Sequence, residues 1–208
     1  MNDIISSIEA VRREIGTSGN ARTLLIERGY DATRDDVWDA LTSTDRLARW
    51  FLPVSGDLTV GGKYQIEGNA GGEILECEPP QRFKITWMYG DAAALSEVEV
   101  RLSADSEQRT TLTLEHIAEV PEEFWSTYGP GATGVGYDLS LFGLEAHLAG
   151  RDFTPEEKAA FEGSDYAREL LTRSSEAWGE VHRASGAPEA EVAAATEATT
   201  KFYVPEPE

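Results

Sequence analysis

Apolar residues in the first part of the chain recur at intervals of three and four. They are Ile4, Ile5, Ile8, Val11 and Ile15. This spacing predicts an amphipathic helix over residues 2–16. A polar break at residues 17–20 separates it from an apolar run at 23–28, which predicts the first strand. The helix has an apolar face to cover, either against the rest of the chain or against a second subunit. A homodimer is therefore one of two open alternatives.

Two short helices are predicted next. Thr33 and Asp36 have the spacing of a capping box ahead of an apolar stretch, which predicts a helix start. A second helical stretch follows the break at residues 42–44, and Pro53 ends it.

Period-two alternation then dominates the chain as far as residue 116. The inward-pointing residues would be Tyr64, Ile66, Phe83, Ile85, Trp87, Val98, Val100, Leu102, Leu112, Leu114 and His116. Alternation repeated in this way predicts an antiparallel sheet with one apolar and one solvated face. On the solvated face, Arg82 and Lys84 would lie across a hairpin from Glu97 and Glu99.

The pattern returns to helical spacing at residues 135–149, and both flanks of this late helix are apolar. One flank can meet the sheet, whereas the other needs a cover. Residues 151–208 look helical, beginning with a capping box at Thr154 and a proline at the first helical position. We therefore expect a leading segment at 1–20, a central domain at 21–150 and a helical extension at 151–208 that packs on the late helix.

Composition limits the partners more than it identifies the function. The formal charge of −20 would repel phosphate backbones and anionic lipid, so neither nucleic acid nor membrane is an expected partner. No apolar run is long enough to span a bilayer, and the N-terminus lacks the pattern of a signal peptide. A single cysteine, Cys77, cannot form an internal disulfide. These features favour a reduced, cytoplasmic protein.

Five ordered segments carry a resemblance to a known family. They read VWDALT, LARWF, VGGKY, GGEILECEPPQRF and ITW. With the order of strand, two helices, antiparallel sheet and late helix, the chain resembles the homologue 1-like family of activators of the heat-shock protein 90 ATPase. That family lies within the START-related SRPBCC superfamily. The resemblance covers about residues 21–149.

The resemblance implies an α+β helix-grip fold, in which a curved antiparallel sheet holds the late helix with an apolar cavity between them. Members of the superfamily bind small hydrophobic molecules, and some are cyclases or hydrolases. A chaperone is implied as an alternative partner.

The candidate cavity residues are the inward strand positions, the aromatic residues before the late helix and one stripe of that helix. They are Trp50, Tyr64, Trp87, His116, Trp125, Tyr128, Tyr137, Ser140, Leu141, Leu144 and His147. An apolar pocket with a few polar groups is typical of a small-molecule site. Plain core packing is the alternative for each aromatic residue. His116 and His147 could act as acid and base if both face inward, although a structural histidine is the commoner case. His182 is expected at the surface.

A glycine motif precedes the late helix. Gly129, Gly131 and Gly134 have the spacing of a dinucleotide-binding fingerprint, but the preceding segment is not a buried parallel strand. We interpret the motif as a flexible entrance loop that gates the cavity with Trp125 and Tyr128. The histidines and the cysteine lack metal-ligand spacing, and no nucleophile motif is present, so neither cofactor nor metal is expected.

Three hypotheses follow for the function. The first is a non-enzymatic binder of a small hydrophobic ligand. The second is a module that stimulates a chaperone ATPase. The third is a cyclase or hydrolase that uses His116 or His147 as its acid–base group.

Overall fold

A computed structural model describes residues 2–89 and 95–205. Its elements in chain order are α1 (Asn2–Glu9), β1 (Val11–Ser18), β2 (Ala21–Tyr30), α2 (Arg34–Thr42), α3 (Thr44–Trp50), β3 (Val54–Gly56), β4 (Lys63–Ile66), β5 (Gly71–Glu78), β6 (Arg82–Thr86), β7 (Ser96–Ser106), β8 (Arg109–Ala118), α4 (Glu122–Tyr128), α5 (Gly131–Leu148), α6 (Pro155–Glu162), α7 (Asp165–Ala184) and α8 (Glu189–Tyr203).

Within the described residues, the strands form one antiparallel sheet of eight, in the order β1-β2-β8-β7-β6-β5-β4-β3. The sheet curves around α5, and α2 and α3 also contact this helix. The predicted α+β helix-grip fold is confirmed. Alternation along β8 is nearly complete, because Leu112, Leu114 and His116 are buried while the residues between them are partly exposed.

The solvated face of the sheet has the predicted charge pairing. The Lys84 ammonium lies 2.5 Å from Glu97, and the Arg82 guanidinium lies 3.2 Å from Glu99. Each pair crosses the β6–β7 hairpin. These partly exposed pairs favour this strand register and add little stability of their own.

The predicted helix over residues 2–16 is wrong in its second half. The helix ends at Glu9, and Val11–Ser18 form the edge strand β1, paired with β2 through a tight turn at Gly19 (φ +61°). Val11 and Ile15 are four residues apart, a spacing that places them on one face of either a helix or a strand. The expected boundary at residue 20 therefore lies inside a hairpin of the sheet.

The described part of the C-terminal segment forms α6, α7 and α8, and the first of these begins at the predicted capping box. Thr154 and Glu157 form a complete capping box at the start of α6, and the Ser164 side chain caps α7. Both α7 and α8 contact α5, and α7 also contacts β1 and α1. The apolar flank of α5 that faces away from the sheet is thereby covered.

Candidate functional site

A cavity of about 640 Å³ lies between the concave face of the sheet and α5. Aromatic side chains supply much of its wall, and they come from helices and strands along most of the chain. They are Trp38, Trp50, Phe51, Tyr64, Phe83, Trp87, Tyr89, Tyr137 and Tyr203. No charged side chain is among the described residues that line it. This composition is typical of a pocket for a small organic molecule.

Two of the indole rings are held in fixed positions. The Nε1 of Trp50 donates to the backbone oxygen of Ala40 at 2.9 Å, which joins α3 to α2. Trp38 packs edge-to-face on Phe83, with ring centroids 5.9 Å apart. Trp50 is thus tied to the helical layer and Trp38 to the sheet.

A polar corner of the cavity forms around Tyr64 and Tyr137, and Thr42, Asn69, Thr133 and Ser140 are further polar residues of the described lining. The Tyr64 hydroxyl donates to the backbone oxygen of Thr86 at 2.6 Å. The Tyr137 hydroxyl lies 3.1 Å from His116 Nδ1, and His116 Nε2 lies 3.0 Å from Ser96 Oγ. Burial lowers the pKa of His116 from 6.5 to about 4, so its ring is neutral at pH 7. Burial raises the pKa of both tyrosines, so both hydroxyls stay protonated.

The mouth of the cavity is marked by exposed lining residues. Leu58 and Tyr89 are 37% and 68% exposed, and Cys77 and Pro79 are exposed on β5 and after it. Exposed apolar side chains at an opening are typical of a site that takes up a hydrophobic molecule.

Part of the predicted site set lies together around the cavity. Its lining includes Trp50, Tyr64, Trp87, Tyr137, Ser140, Leu141 and Leu144. His116 lies behind Tyr137 and reaches the cavity only through that hydroxyl. Trp125, Tyr128 and His147 lie elsewhere.

His147 lies in the last turn of α5 and does not line the cavity. Its Nδ1 makes a short contact with Asp152, and its Nε2 accepts from Arg46 Nε at 2.9 Å. Arg46 also binds Asp36 and Asp39. His147 thus connects the end of α5 to the α2–α3 region. The expectation that it lines the cavity is wrong.

The expected entrance loop is also wrong. Residues 122–128 and 131–148 are helical, so only Gly129 and Pro130 separate α4 from α5. Trp125 stacks under the Arg22 guanidinium and packs edge-on to His182, while Tyr128 packs against Phe202. His182 is 7% exposed rather than at the surface, because α4 and α8 cover it.

The glycines of the motif allow close helix packing. A Cβ on Gly131 would lie 2.5 Å from Thr199 Oγ1 of α8, and a Cβ on Gly134 would lie 2.2 Å from the Trp178 ring of α7. Both neighbours belong to the C-terminal segment. The motif is therefore the surface of α5 on which that segment packs.

A buried ion pair fixes this packing further. The Asp138 carboxylate accepts from Arg13 Nη2 at 2.9 Å, from Ser174 Oγ at 2.5 Å and from Trp178 Nε1 at 3.1 Å. Its pKa is raised, since desolvation outweighs the pairing with Arg13. One residue of α5 thus joins the edge strand β1 and helix α7.

The sequence did not predict the contribution of the C-terminal segment to the cavity. Tyr203, near the end of α8, lines the cavity and donates to the backbone oxygen of Ala132 at 2.5 Å. Ala132, Thr133 and Gly136 also line it, but they lie in the stretch predicted to be a loop. The small residues of this glycine-rich stretch were the sequence feature that could have indicated close packing by another helix.

Within residues 2–89 and 95–205, no cluster of three histidine, cysteine or acidic side chains is placed to hold a metal ion. In the same part of the chain, no helix combines the length and apolar character needed to cross a membrane.

Comparisons with known proteins agree with this architecture. CalU16 from Micromonospora echinospora is 33% identical in its crystal structure, where the match covers 84% of this chain and 99% of CalU16 with a TM-score of 0.65. Its solution NMR structure gives 34% identity, coverage of 84% and 96%, and a TM-score of 0.68. EF2215 from Enterococcus faecalis, at 18% identity, shares the fold over 86% of this chain and 95% of its own, with a TM-score of 0.61.

None of the curated proteins matches the chain. Residues 31–148, more than half of the 208 residues, match the family described as Activator of Hsp90 ATPase homolog 1-like protein. The match to CalU16 covers a larger share of the chain than this range and so includes flanking elements. The chain belongs to the Activator of Hsp90 ATPase homolog 1-like family.

Proposed function

We propose that the protein binds a small, uncharged, hydrophobic molecule in the cavity between the sheet and α5. The observation that carries the proposal is the aromatic cavity of about 640 Å³ with no charged residue among its described lining. This volume lies within the range of pockets that take drug-sized ligands.

The cavity opens to solvent past Leu58 and Tyr89, so water can occupy it when no ligand is bound. An apolar ligand gains free energy by displacing that water from the aromatic walls.

A pair of matched variants tests the proposal. Ser140 lines the cavity from α5, whereas Ser126 is exposed on α4. Ser140→Trp would fill part of the cavity, and Ser126→Trp adds the same side chain outside it. We expect titration with the neutral dye Nile red to show saturable binding to the wild type and to Ser126→Trp, with affinity reduced at least tenfold in Ser140→Trp.

Native mass spectrometry of freshly purified protein adds a second readout, since a co-purified ligand should appear as a discrete mass shift that Ser140→Trp abolishes. Equal dye binding by all three proteins would rule out the cavity as the site.

The family membership supports a second candidate, a module that stimulates a chaperone ATPase. The measurement is the ATPase rate of the host's heat-shock protein 90 with and without added protein. Stimulation that Ser140→Trp leaves unchanged, together with no dye binding, would favour this candidate over the first.

An acid–base enzyme is the least supported hypothesis. His147 lies outside the cavity, and His116 has both ring nitrogens in hydrogen bonds. With a pKa of about 4, His116 is a weak base at neutral pH.

A further inference from the structure

A row of hydrogen bonds leads from the cavity wall into the sheet. It begins at the Tyr137 hydroxyl on α5, passes through the His116 ring on β8 and ends at Ser96 at the start of β7. The two distances, 3.1 and 3.0 Å, are those of ordinary hydrogen bonds. His116 in the middle of the row is 8% exposed, whereas Ser96 at its end is partly exposed.

A neutral imidazole carries one donor and one acceptor, which gives the row two directions. In the first, the Tyr137 hydroxyl donates to Nδ1 and Nε2–H donates to Ser96 Oγ. The Tyr137 oxygen then offers only an acceptor to the cavity. In the second, Nδ1–H donates to the Tyr137 oxygen and the Ser96 hydroxyl donates to Nε2. The Tyr137 proton is then free to donate into the cavity.

The conditions for both directions are met at neutral pH. Burial holds the pKa of His116 near 4, so the ring is uncharged, and serine and tyrosine hydroxyls each donate and accept. Changing direction moves the ring proton from Nε2 to Nδ1. One proton leaves through the partly exposed Ser96 hydroxyl, and one enters through the Tyr137 hydroxyl from solvent in the cavity. The ring and the two oxygen atoms stay in place.

Tyr64 adds a fixed group beside this adjustable one. Its hydroxyl donates to Thr86, so only its acceptor capacity remains. It lies close enough to Tyr137 to contribute to the raised pKa of that residue. With no cation among the described lining residues, the corner suits an uncharged polar group and disfavours a carboxylate.

We propose that Tyr137, positioned by His116 and Ser96, is the polar anchor of the cavity, and that it accepts from a ligand hydroxyl or donates to a ligand carbonyl by reversing the row. The ligand class is an apolar molecule with one uncharged hydroxyl or carbonyl group. This inference rests on the proposed binding function and specifies its ligand chemistry.

Four naphthalene probes of similar size test the anchor by isothermal titration: 2-naphthol, 2-acetonaphthone, 2-methylnaphthalene and 2-naphthoate. One buried neutral hydrogen bond corresponds to about fivefold in affinity. We expect naphthol and acetonaphthone to bind about fivefold more tightly than methylnaphthalene, and naphthoate to bind most weakly. Tyr137→Phe should remove the preference and leave methylnaphthalene binding within about twofold.

The matched control is Tyr30→Phe. The Tyr30 hydroxyl is also buried and donates to the Leu141 backbone oxygen, but Tyr30 does not line the cavity. This variant should keep the preference for naphthol and acetonaphthone.

Nitrogen-15 NMR of His116 provides a readout that a purely structural role would not change. With acetonaphthone we expect the Nδ1–H tautomer, and with naphthol the Nε2–H tautomer. An unchanged tautomer with both probes, or a preference that survives Tyr137→Phe, would overturn the inference while leaving the proposed function in place. Failure of all four probes to bind the wild type would overturn both.

Discussion

Gly134 of α5 lies directly against the indole ring of Trp178 of α7, so close that a Cβ on the glycine would be 2.2 Å from Cε2 of the ring. Trp178 is fully buried, and its Nε1 is bound to Asp138 one turn further along α5. A glycine inside a helix costs about 1 kcal/mol relative to alanine. Here the absence of a side chain at Gly134 allows Trp178 of α7 to pack directly on α5.

Gly134→Ala should therefore destabilise the protein. The ring cannot move aside without losing its bond to Asp138, so we expect a loss of about 1–3 kcal/mol in the free energy of unfolding, measured by urea denaturation. The control is Gly163→Ala, where an added Cβ meets nothing within 4 Å. Equal stability of the two variants would show that α7 does not pack on α5 in this way.

The ion pair of Asp138 and Arg13 should show strong coupling. Asp138→Asn leaves a guanidinium that is 6% exposed without its anion, which should cost about 3–5 kcal/mol. Arg13→Met leaves the carboxylate with only Ser174 and Trp178. We expect the double variant to be less destabilised than the sum of the two single variants, because neither charge is then left alone. Additive losses would contradict a direct pair.

His116 should make stability depend on pH. Its pKa falls from 6.5 in the unfolded chain to about 4 in the folded protein, so between these values the unfolded state binds more protons. The contribution is fully present above pH 6.5 and is lost as the pH falls towards 4, by about 3 kcal/mol in total.

Other groups titrate in the same range, among them His182, whose pKa burial also lowers. The measurement is therefore the difference between the wild type and His116→Gln, compared at pH 7 and pH 4.5. An equal loss of stability in both proteins would show that His116 is not held neutral.

Tyr203 should connect the C-terminal helix to ligand binding. Tyr203→Ala removes part of the cavity wall and the bond to Ala132, so we expect a loss of about 2–4 kcal/mol in stability and weaker binding of Nile red. Phe202→Ala is the neighbouring control, since Phe202 is 59% exposed and lies outside the cavity lining. Unchanged dye affinity in Tyr203→Ala would remove α8 from the binding site.

The sequence predicts this protein correctly where the local pattern of apolar residues matches the face that is buried in the fold. Alternation at Leu112, Leu114 and His116 gave a strand with the correct inward face. The capping residues Thr33 and Thr154 gave correct helix starts, because a cap depends on residues only three positions apart.

The predictions were wrong where one sequence pattern fits two kinds of secondary structure, or where contacts with residues distant in the sequence determine the conformation. Val11 and Ile15 suit a helix as well as a strand, and pairing with β2 made them a strand. Residues 129–136 carry a glycine pattern typical of a loop, yet α7 and α8 cover them and make most of them helical. His147 shares a helix with Tyr137 but faces Arg46 and Asp152 instead of the cavity.

Local periodicity and ordered motifs were enough to predict the family, the antiparallel sheet, the late helix and part of the aromatic wall. Which polar groups reach the cavity depends instead on tertiary packing. Tyr137, His116 and Ser96 form one row because the Tyr137 side chain of α5 reaches β8 at the point where β8 pairs with the start of β7. Tyr203 joins the wall because small residues on α5 allow α8 to approach closely. Such contacts depend on packing between helices and strands that are far apart in the sequence. A local sequence pattern carries no information about this packing.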